Sequence, residues 1–378
     1  MSQKIIIIGS AHPLRGGLAA YNERLAYAFQ EAGDLVEIYS FSLQYPGFLF
    51  PGKTQFTSDP APEGLTIKTK INSINPFNWW KIGREISRMK PDIVIVRFWL
   101  PFMGPCFGTI LRLIRRNKHT RIIAITDNII PHEKRPGDRI FTKYFVKPVD
   151  GFIPMCQSVK DELKLFDTKK PVQLIPHPIY DNYGTQIPIA EARKKLGLEA
   201  DGKYLLFFGF IRDYKGLDLL LDAMADERLA KAGIKAIVAG EFYSDSKPYD
   251  DQIERLGIKD RLIMHTDYIP NSEVAAYFGA CDMVVQPYKS ATQSGISQMA
   301  YHFEVPMLVT NVGGLPEIVA DGKAGYVTPT DSKAIADAIM DFYENNRKES
   351  FHNFVKEEKK RFSWNSMVEG IKSLAVFK

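Results

Sequence analysis

One pattern occurs twice along the chain, and it limits the possible folds more than any other feature. Short apolar runs with little polar alternation are each followed by an amphipathic segment. In the first half the runs fall at 4–8, 35–39, 65–68, 93–96, 121–125, 151–154 and 172–175. Helical patterns lie between them at 18–32, 79–89, 108–116, 139–146 and 158–166. A run without alternation suits a strand buried on both faces. Such strands alternating with helices predict a parallel, doubly wound α/β sheet. Pro178, Gly184 and Pro188 break the periodicity over 177–189, which reads as a linker. The alternation restarts with strands at 204–208, 235–239, 262–265, 283–286 and 307–309. Its helices are at 217–224, 249–256, 273–280, 297–303 and 332–343, and a last helix is predicted over 363–377. The expectation is two Rossmann-like domains, 1–180 and 190–362, facing a central cleft. Ligands bind beyond the carboxyl ends of the strands in such sheets.

Composition narrows the functional classes. Hydrophobic residues are 45% of the 378 and charged residues 25%, as in ordinary globular proteins. An excess of five positive charges is too small to imply nucleic-acid binding, and it suits handling of phosphates or an anionic surface. Cys106, Cys156 and Cys281 are far apart and lack metal-ligand spacing, which points to buried thiols in a reducing compartment. The apolar run Ile5–Ile8 is too short for a secretory signal, and Pro101, Pro105 and Arg112 break the apolar stretch 98–114 into a loop and a core helix. A cytoplasmic protein, at most peripheral to a membrane, is expected. The aromatic, Pro- and Gly-rich segment 41–56 reads as a packed surface loop or as a lid.

Four segments carry chemistry. Gly16 and Gly17 stand between the first strand and its helix, where backbone N–H groups and the helix dipole can meet a phosphate. The three spaced glycines of a dinucleotide fingerprint are missing, which argues against a simple dehydrogenase. Arg212 and Lys215 follow an apolar strand and precede a helix, a place suited to a diphosphate or simply to two solvated charges. The small and hydroxyl residues from Ser290 to Ser297 can form a concave set of N–H donors, or cap a helix through Thr292 or Ser294. Asp127, His132 and Glu133 cluster titratable groups just past a strand, and His132 could move a proton or be structural.

In sequence order, the chain has the Gly-Gly loop, DNIIPHEKRPGD at 127–138, GFIRDYKG at 209–216, VAGE at 238–241 and YIP at 268–270. SATQSG at 290–295, TNVGGLPE at 310–317 and GKAGYV at 322–327 follow. Over nearly the whole chain this order resembles the retaining glycosyltransferases of family 4, which have the GT-B fold. The resemblance implies that Arg212 and Lys215 grip the donor diphosphate. It implies that Ser294, Gly295 and Ile296 cradle the distal phosphate, and that Gly16 and Gly17 lie near the phosphates and acceptor. It places Gly240, Glu241, Ile269 and Gln298 around the base and ribose. It also implies that the terminal helix, 363–378 with Trp364, packs back on the first domain.

Two departures stand out. The family's two glutamates, eight residues apart, correspond here to Ala291 and Met299, so contacts to the donor sugar are expected from Thr292, Gln293 and backbone. Asp127 stands where the family often has a histidine, which leaves Asp127 and His132 as the catalytic candidates. The implied reaction moves a hexosyl group from a UDP- or GDP-sugar with retention at the anomeric carbon. It uses no metal or cofactor and no nucleic acid. The acceptor is a glycan or lipid-linked intermediate of bacterial surface polysaccharide. Arg112, Arg115 and Arg116 on the helix at 108–116 read either as a membrane or acceptor face or as the solvated side of a core helix. Two other functions are compatible: a nucleotide-sugar epimerase on the same fold, whose acid–base groups would come from 127–133, and a non-catalytic nucleotide-sugar binder.

Overall fold

The computed structural model describes residues 2–47, 54–57, 59–131, 135–166 and 169–376. The chain forms two compact units. One is Met1–Pro178 with Ser363–Lys378, and the other is Ile179–Phe362.

The first unit contains, in order, β1 (Lys4–Ile8), α1 (Gly17–Glu31), β2 (Leu35–Leu43), β3 (Thr66–Asn72), α2 (Pro76–Met89) and β4 (Ile93–Phe98). Next come α3 (Gly104–Arg115), β5 (Arg121–Thr126), α4 (Asp138–Val146), β6 (Gly151–Pro154) and α5 (Gln157–Leu163). Its sheet has the order β3-β2-β1-β4-β5-β6 and every pair is parallel. The isoleucine and valine runs of β1, β4 and β5 are buried because helices cover both faces. The local start signals are plain: Pro76 opens α2 behind Asn75, whose side chain accepts from the N–H groups of Phe77 and Asn78.

The second unit contains α6 (Ile189–Lys195), β7 (Lys203–Phe208), α7 (Leu217–Met224), α8 (Glu227–Lys231), β8 (Ile234–Ala239), α9 (Lys247–Leu256), β9 (Leu262–His265) and α10 (Val274–Ala280). After these come β10 (Met283–Gln286), α11 (Gly295–His302), β11 (Met307–Thr310), α12 (Leu315–Ile318), β12 (Gly325–Thr328), α13 (Ser332–Glu344) and α14 (Lys348–Glu358). Its all-parallel sheet runs β12-β11-β10-β7-β8-β9. The chain then returns to the first unit as α15 (Trp364–Val376), which packs against α1, β5 and β6.

The two doubly wound sheets match the expectation from the alternating pattern. The differences lie at weak signals. The run at 172–175 forms a single bridge, Phe152 to Val172, instead of a strand, because Pro171 and Pro176 flank it and cannot donate to a ladder. Strand β12, which opens on a glycine, and the polar helix α14 were not expected. Helix α3 starts at Gly104, four residues before the periodicity indicated, because Pro105 fits the first turn of a helix. Of the segment 41–56, residues 48–53 lie outside the described residues, and 41–43 belong to β2. The three cysteines are buried free thiols.

Candidate active site

Strand order reverses between β7 and β10 in the second unit, so the loops leaving these neighbours diverge at their carboxyl ends. A doubly wound sheet offers its crevice at such a point. The loop after β7 carries Arg212 and Lys215, and the loop after β10 leads through Thr292 and Gln293 into α11.

Backbone pairing fixes the first loop. Ile211 donates to Glu241 O at 2.9 Å and Tyr243 donates to Ile211 O at 2.9 Å, so the β7–β8 ladder reaches past the strand ends. This sets the Arg212 guanidinium 5.2 Å from the centre of the Tyr243 ring. A short turn, Asp213–Lys215, follows and ends at Gly216, whose φ is 68°. A Cβ on Gly216 would lie 1.9 Å from the Pro287 carbonyl oxygen, so only glycine allows the two loops to touch. Lys289 ties them further: its N–H donates to Tyr214 O at 2.7 Å, and its ammonium bridges Asp213 at 2.8 Å and Asp218 at 2.9 Å.

Lys289 thereby takes up both nearby carboxylates. Among the described residues neither Arg212 nor Lys215 has a carboxylate partner. The Lys215 ammonium sits 5.1 Å over the Tyr288 ring. Burial holds its pKa below the usual lysine range, and the Arg212 charge pushes the same way. An electrostatic deficit of this kind is relieved by an anion.

Helix α11 brings a further set of donors to the same edge. Gly209, at φ 96°, lies where a Cβ would be 3.4 Å from Lys215 Nζ and 3.2 Å from Ile296 Cδ1, so the cation and the start of α11 flank one glycine. Ser294 caps the helix, accepting from Ile296 N–H at 3.2 Å. Its hydroxyl donates to Gln286 Oε1 at 2.6 Å, and Ser297 donates to the same oxygen at 3.1 Å. A Cβ on Gly295 would lie 2.8 Å from the Tyr180 ring, so that ring closes over the first turn. The 291–293 loop rests on the next one, where Gly314 N–H donates to Thr292 O at 3.1 Å and Gly313 meets the Ala291 carbonyl. Ala291 and Met299 are both buried, so apolar side chains fill the two positions that carry glutamates in the family pattern.

The other residues expected around the nucleoside lie after β8, after β9 and in α11. Gly240, at φ 144°, abuts the Gly209 carbonyl at the end of β8, beside the buried Glu241. Ile269 follows β9 and is partly exposed. Gln298 is fully buried, and among the described residues neither polar atom of its amide has a hydrogen-bond partner.

In the first unit, Gly16 takes φ 100° and caps α1, and Gly17 is exposed at its first position. Asp127 follows β5 and is buried in a two-pronged ion pair with Arg97, Nε to Oδ2 at 2.7 Å and NH2 to Oδ1 at 2.8 Å. The guanidinium carbon lies 3.8 Å from the centre of the Tyr21 ring, which also contacts His177 and Trp364. His177 is buried; burial, then the Arg97 charge, pulls its pKa down to about 3, so it is neutral. His132 and Glu133 lie outside the described residues. The sequence reading had missed Arg97, a lone cation in the otherwise apolar run of β4, and also Glu23. Burial raises the Glu23 pKa to about 7 although His12 N–H donates to it at 2.7 Å. On α3, Arg112 bonds Gly108 O and stacks 3.6 Å from the Tyr144 ring, Arg115 pairs with Asp150 at 3.0 Å, and Arg116 is exposed.

Residues 15–182 match the family model described as Glycosyltransferase Family 4, and residues 188–361 match Glycosyl transferases group 1. The chain belongs to the group 1 glycosyltransferases of family 4. This glycosyltransferase is 26% identical over 306 residues to an uncharacterized glycosyltransferase of Methanocaldococcus jannaschii, covering 79% of each chain. It is 34% identical over 139 residues to the D-inositol 3-phosphate glycosyltransferase of Segniliparus rotundus, a match spanning 36% of this chain and about a third (31%) of that one. Among solved structures, Anabaena HepE in complex with UDP and glucose superposes with a TM-score of 0.74 at 16% identity, covering 99% of this chain and 100% of that one. The glycosyltransferase therefore has the GT-B fold, two Rossmann-like domains each built on a six-stranded parallel sheet.

Proposed function

We propose that this glycosyltransferase takes its sugar from a nucleoside diphosphate and holds the diphosphate at the β7–β10 edge. The observation that carries the reading is the pair Arg212 and Lys215, two cations without carboxylate partners among the described residues, beside the N-terminus of α11. Arg212 offers a planar fork and Lys215 a point charge, and the opening N–H groups of α11 add a positive helix end. HepE, which shares the fold, was solved with UDP and glucose, which supports a uridine or similar nucleotide here.

The transferred group is a hexosyl unit from a UDP- or GDP-sugar, and the acceptor is a glycan or lipid-linked intermediate of bacterial surface polysaccharide. The acceptor hydroxyl attacks the anomeric carbon on the face that the diphosphate leaves. The bond from that carbon to the phosphate oxygen breaks, the new glycosidic bond forms with retention, and the hydroxyl proton passes to the departing phosphate. Arg212, Lys215 and the helix end stabilise the charge that develops on the leaving group. Thr292, Gln293 and the loop backbone contact the sugar, and Gly240, Glu241 and Ile269 contact the nucleoside. The buried Arg97–Asp127 pair suits Asp127 to a fixed electrostatic and positioning role.

Isothermal titration with UDP, GDP and ADP tests the donor site. One nucleotide is expected to bind selectively, with Arg212→Ala and Lys215→Ala each weakening it at least tenfold. Unchanged affinity in both variants would place the diphosphate elsewhere. Assay of the selected nucleotide sugar with a lipid-linked acceptor, read by the anomeric proton coupling of the product, then tests retention.

A further inference from the structure

We propose that the first unit rests on an anionic lipid surface through the outer face of the layer formed by α2, α3 and α4. The inference is independent of the donor site. Helix α2 packs on α3 and α3 on α4, while α1 packs against α15. Right-handed crossovers place the helices after β3, β4 and β5 on one side of the sheet and α1 on the other.

Two helices of this layer direct apolar groups at water. On α2, residues 77, 80, 81, 84 and 88 are exposed, while Ile82, Gly83 and Ile86 are buried. On α4, residues 139, 140, 141, 143 and 144 are exposed, as is Lys147 just after it, while Thr142, Phe145 and Val146 are buried. Each outward face mixes large apolar side chains with cations: Phe77, Trp80, Lys81, Arg84 and Arg88 on α2, and Arg139, Ile140, Phe141, Lys143 and Tyr144 on α4. Phe77 is 87% exposed and Ile140 71%. Of the eleven large hydrophobic residues that are exposed among the described residues, six belong to α4, α2 or the two residues before α2. Scattered exposed leucines need no explanation, but a concentration of aromatic and isoleucine side chains on one layer does.

Charge identifies the occupant. Residues 76–90, 104–118 and 138–147 carry eleven Lys and Arg and only two acidic residues, Glu85 and Asp138, whereas the whole chain has a net charge of +5. Glu85 is already paired with Lys70 at 2.8 Å. Two guanidinium groups lie against exposed rings, Arg84 at 3.9 Å from Trp80 and Arg112 at 3.6 Å from Tyr144. A ring that enters the acyl boundary beside a cation that stays with the headgroups is the arrangement of an interfacial helix. No helix among the described residues is long and apolar enough to cross a membrane, so contact is lateral.

Vesicle flotation tests this, using neutral phosphatidylcholine and phosphatidylcholine with about a third phosphatidylglycerol. The parent protein is expected to float with the anionic vesicles at least tenfold more than with the neutral ones, and to be released as salt rises. Phe77→Ser with Trp80→Ser should lose most of the binding. Arg84→Gln with Lys143→Gln should lose about fivefold per cation. Equal binding to both vesicle types, or variants that bind like the parent, would overturn the proposal. So would parent dimers in light scattering that these variants dissociate, since a second copy would then cover the face. UDP titration of the same samples keeps the two readings apart. Loss of UDP binding with flotation intact would count against the donor site alone.

Discussion

At the residue scale, the side chains that matter differ in what their burial does to charge. Lys215 is held below its ordinary pKa by burial and by Arg212, so its charge is lost earlier as pH rises. A bound diphosphate favours the charged form. Affinity for a diphosphate is therefore expected to fall on the alkaline side sooner than an ordinary lysine would allow, while Lys215→Arg flattens that limb in a titration series. Glu23 behaves in the opposite sense. Its folded pKa of about 7 lies above the unfolded value, so its neutral form contributes stability that is complete below about pH 4.5 and lost as pH rises through 7. Glu23→Gln should raise the melting temperature at pH 8 relative to the parent and leave it nearly unchanged at pH 4.5. The Arg97–Asp127 pair is a third case. Asp127→Ala leaves a buried guanidinium without its carboxylate and is expected to cost roughly 3–5 kcal/mol in denaturant unfolding. Arg212 and Lys215, the cations of the proposed donor site, stood out in the sequence because they interrupt an apolar pattern at a strand end. The Arg97–Asp127 pairing was not, because the partners are thirty residues apart and meet only through the parallel register of β4 and β5.

At the element scale, the loops after β7 and β10 are one interlocked piece. Gly216→Ala must push its methyl group into the Pro287 carbonyl from a left-handed backbone, whereas Gly257→Ala, also at positive φ, meets nothing within 4 Å. Gly257→Ala should cost only the left-handed backbone penalty of roughly 1–2 kcal/mol, and Gly216→Ala clearly more, with nucleotide affinity lost in titration even at temperatures where the variant remains folded. Such a comparison separates backbone strain from loop contact. The elements readable from sequence were those whose burial leaves a one-sided or continuous apolar pattern, such as Ile5–Ile8. β12 escaped because it is four residues long and begins with Gly325, and α14 because charge dominates its sequence.

At the scale of the whole molecule, the first unit is assembled from two distant pieces of chain. Helix α15 buries Trp364, Met367, Val368, Ile371 and Leu374. At about 1.5–3 kcal/mol for each large apolar side chain, its removal withdraws on the order of 10 kcal/mol from that unit. Ending the chain at Phe362 should abolish the unfolding transition of the first unit in calorimetry and leave one for the second. The sequence indicated a terminal helix through its periodicity, but only family resemblance suggested where it docks, since no local pattern encodes a partner that begins at residue 17. This arrangement also sets an order of events on the ribosome. The 178 leading residues emerge first, yet their last structural piece follows all of Ile179–Phe362. At about 5–20 residues per second, the nascent lobe waits roughly 10–40 s with the apolar seat of α15 uncovered. Through that interval it is a client for chaperones, while the later lobe is free to complete itself.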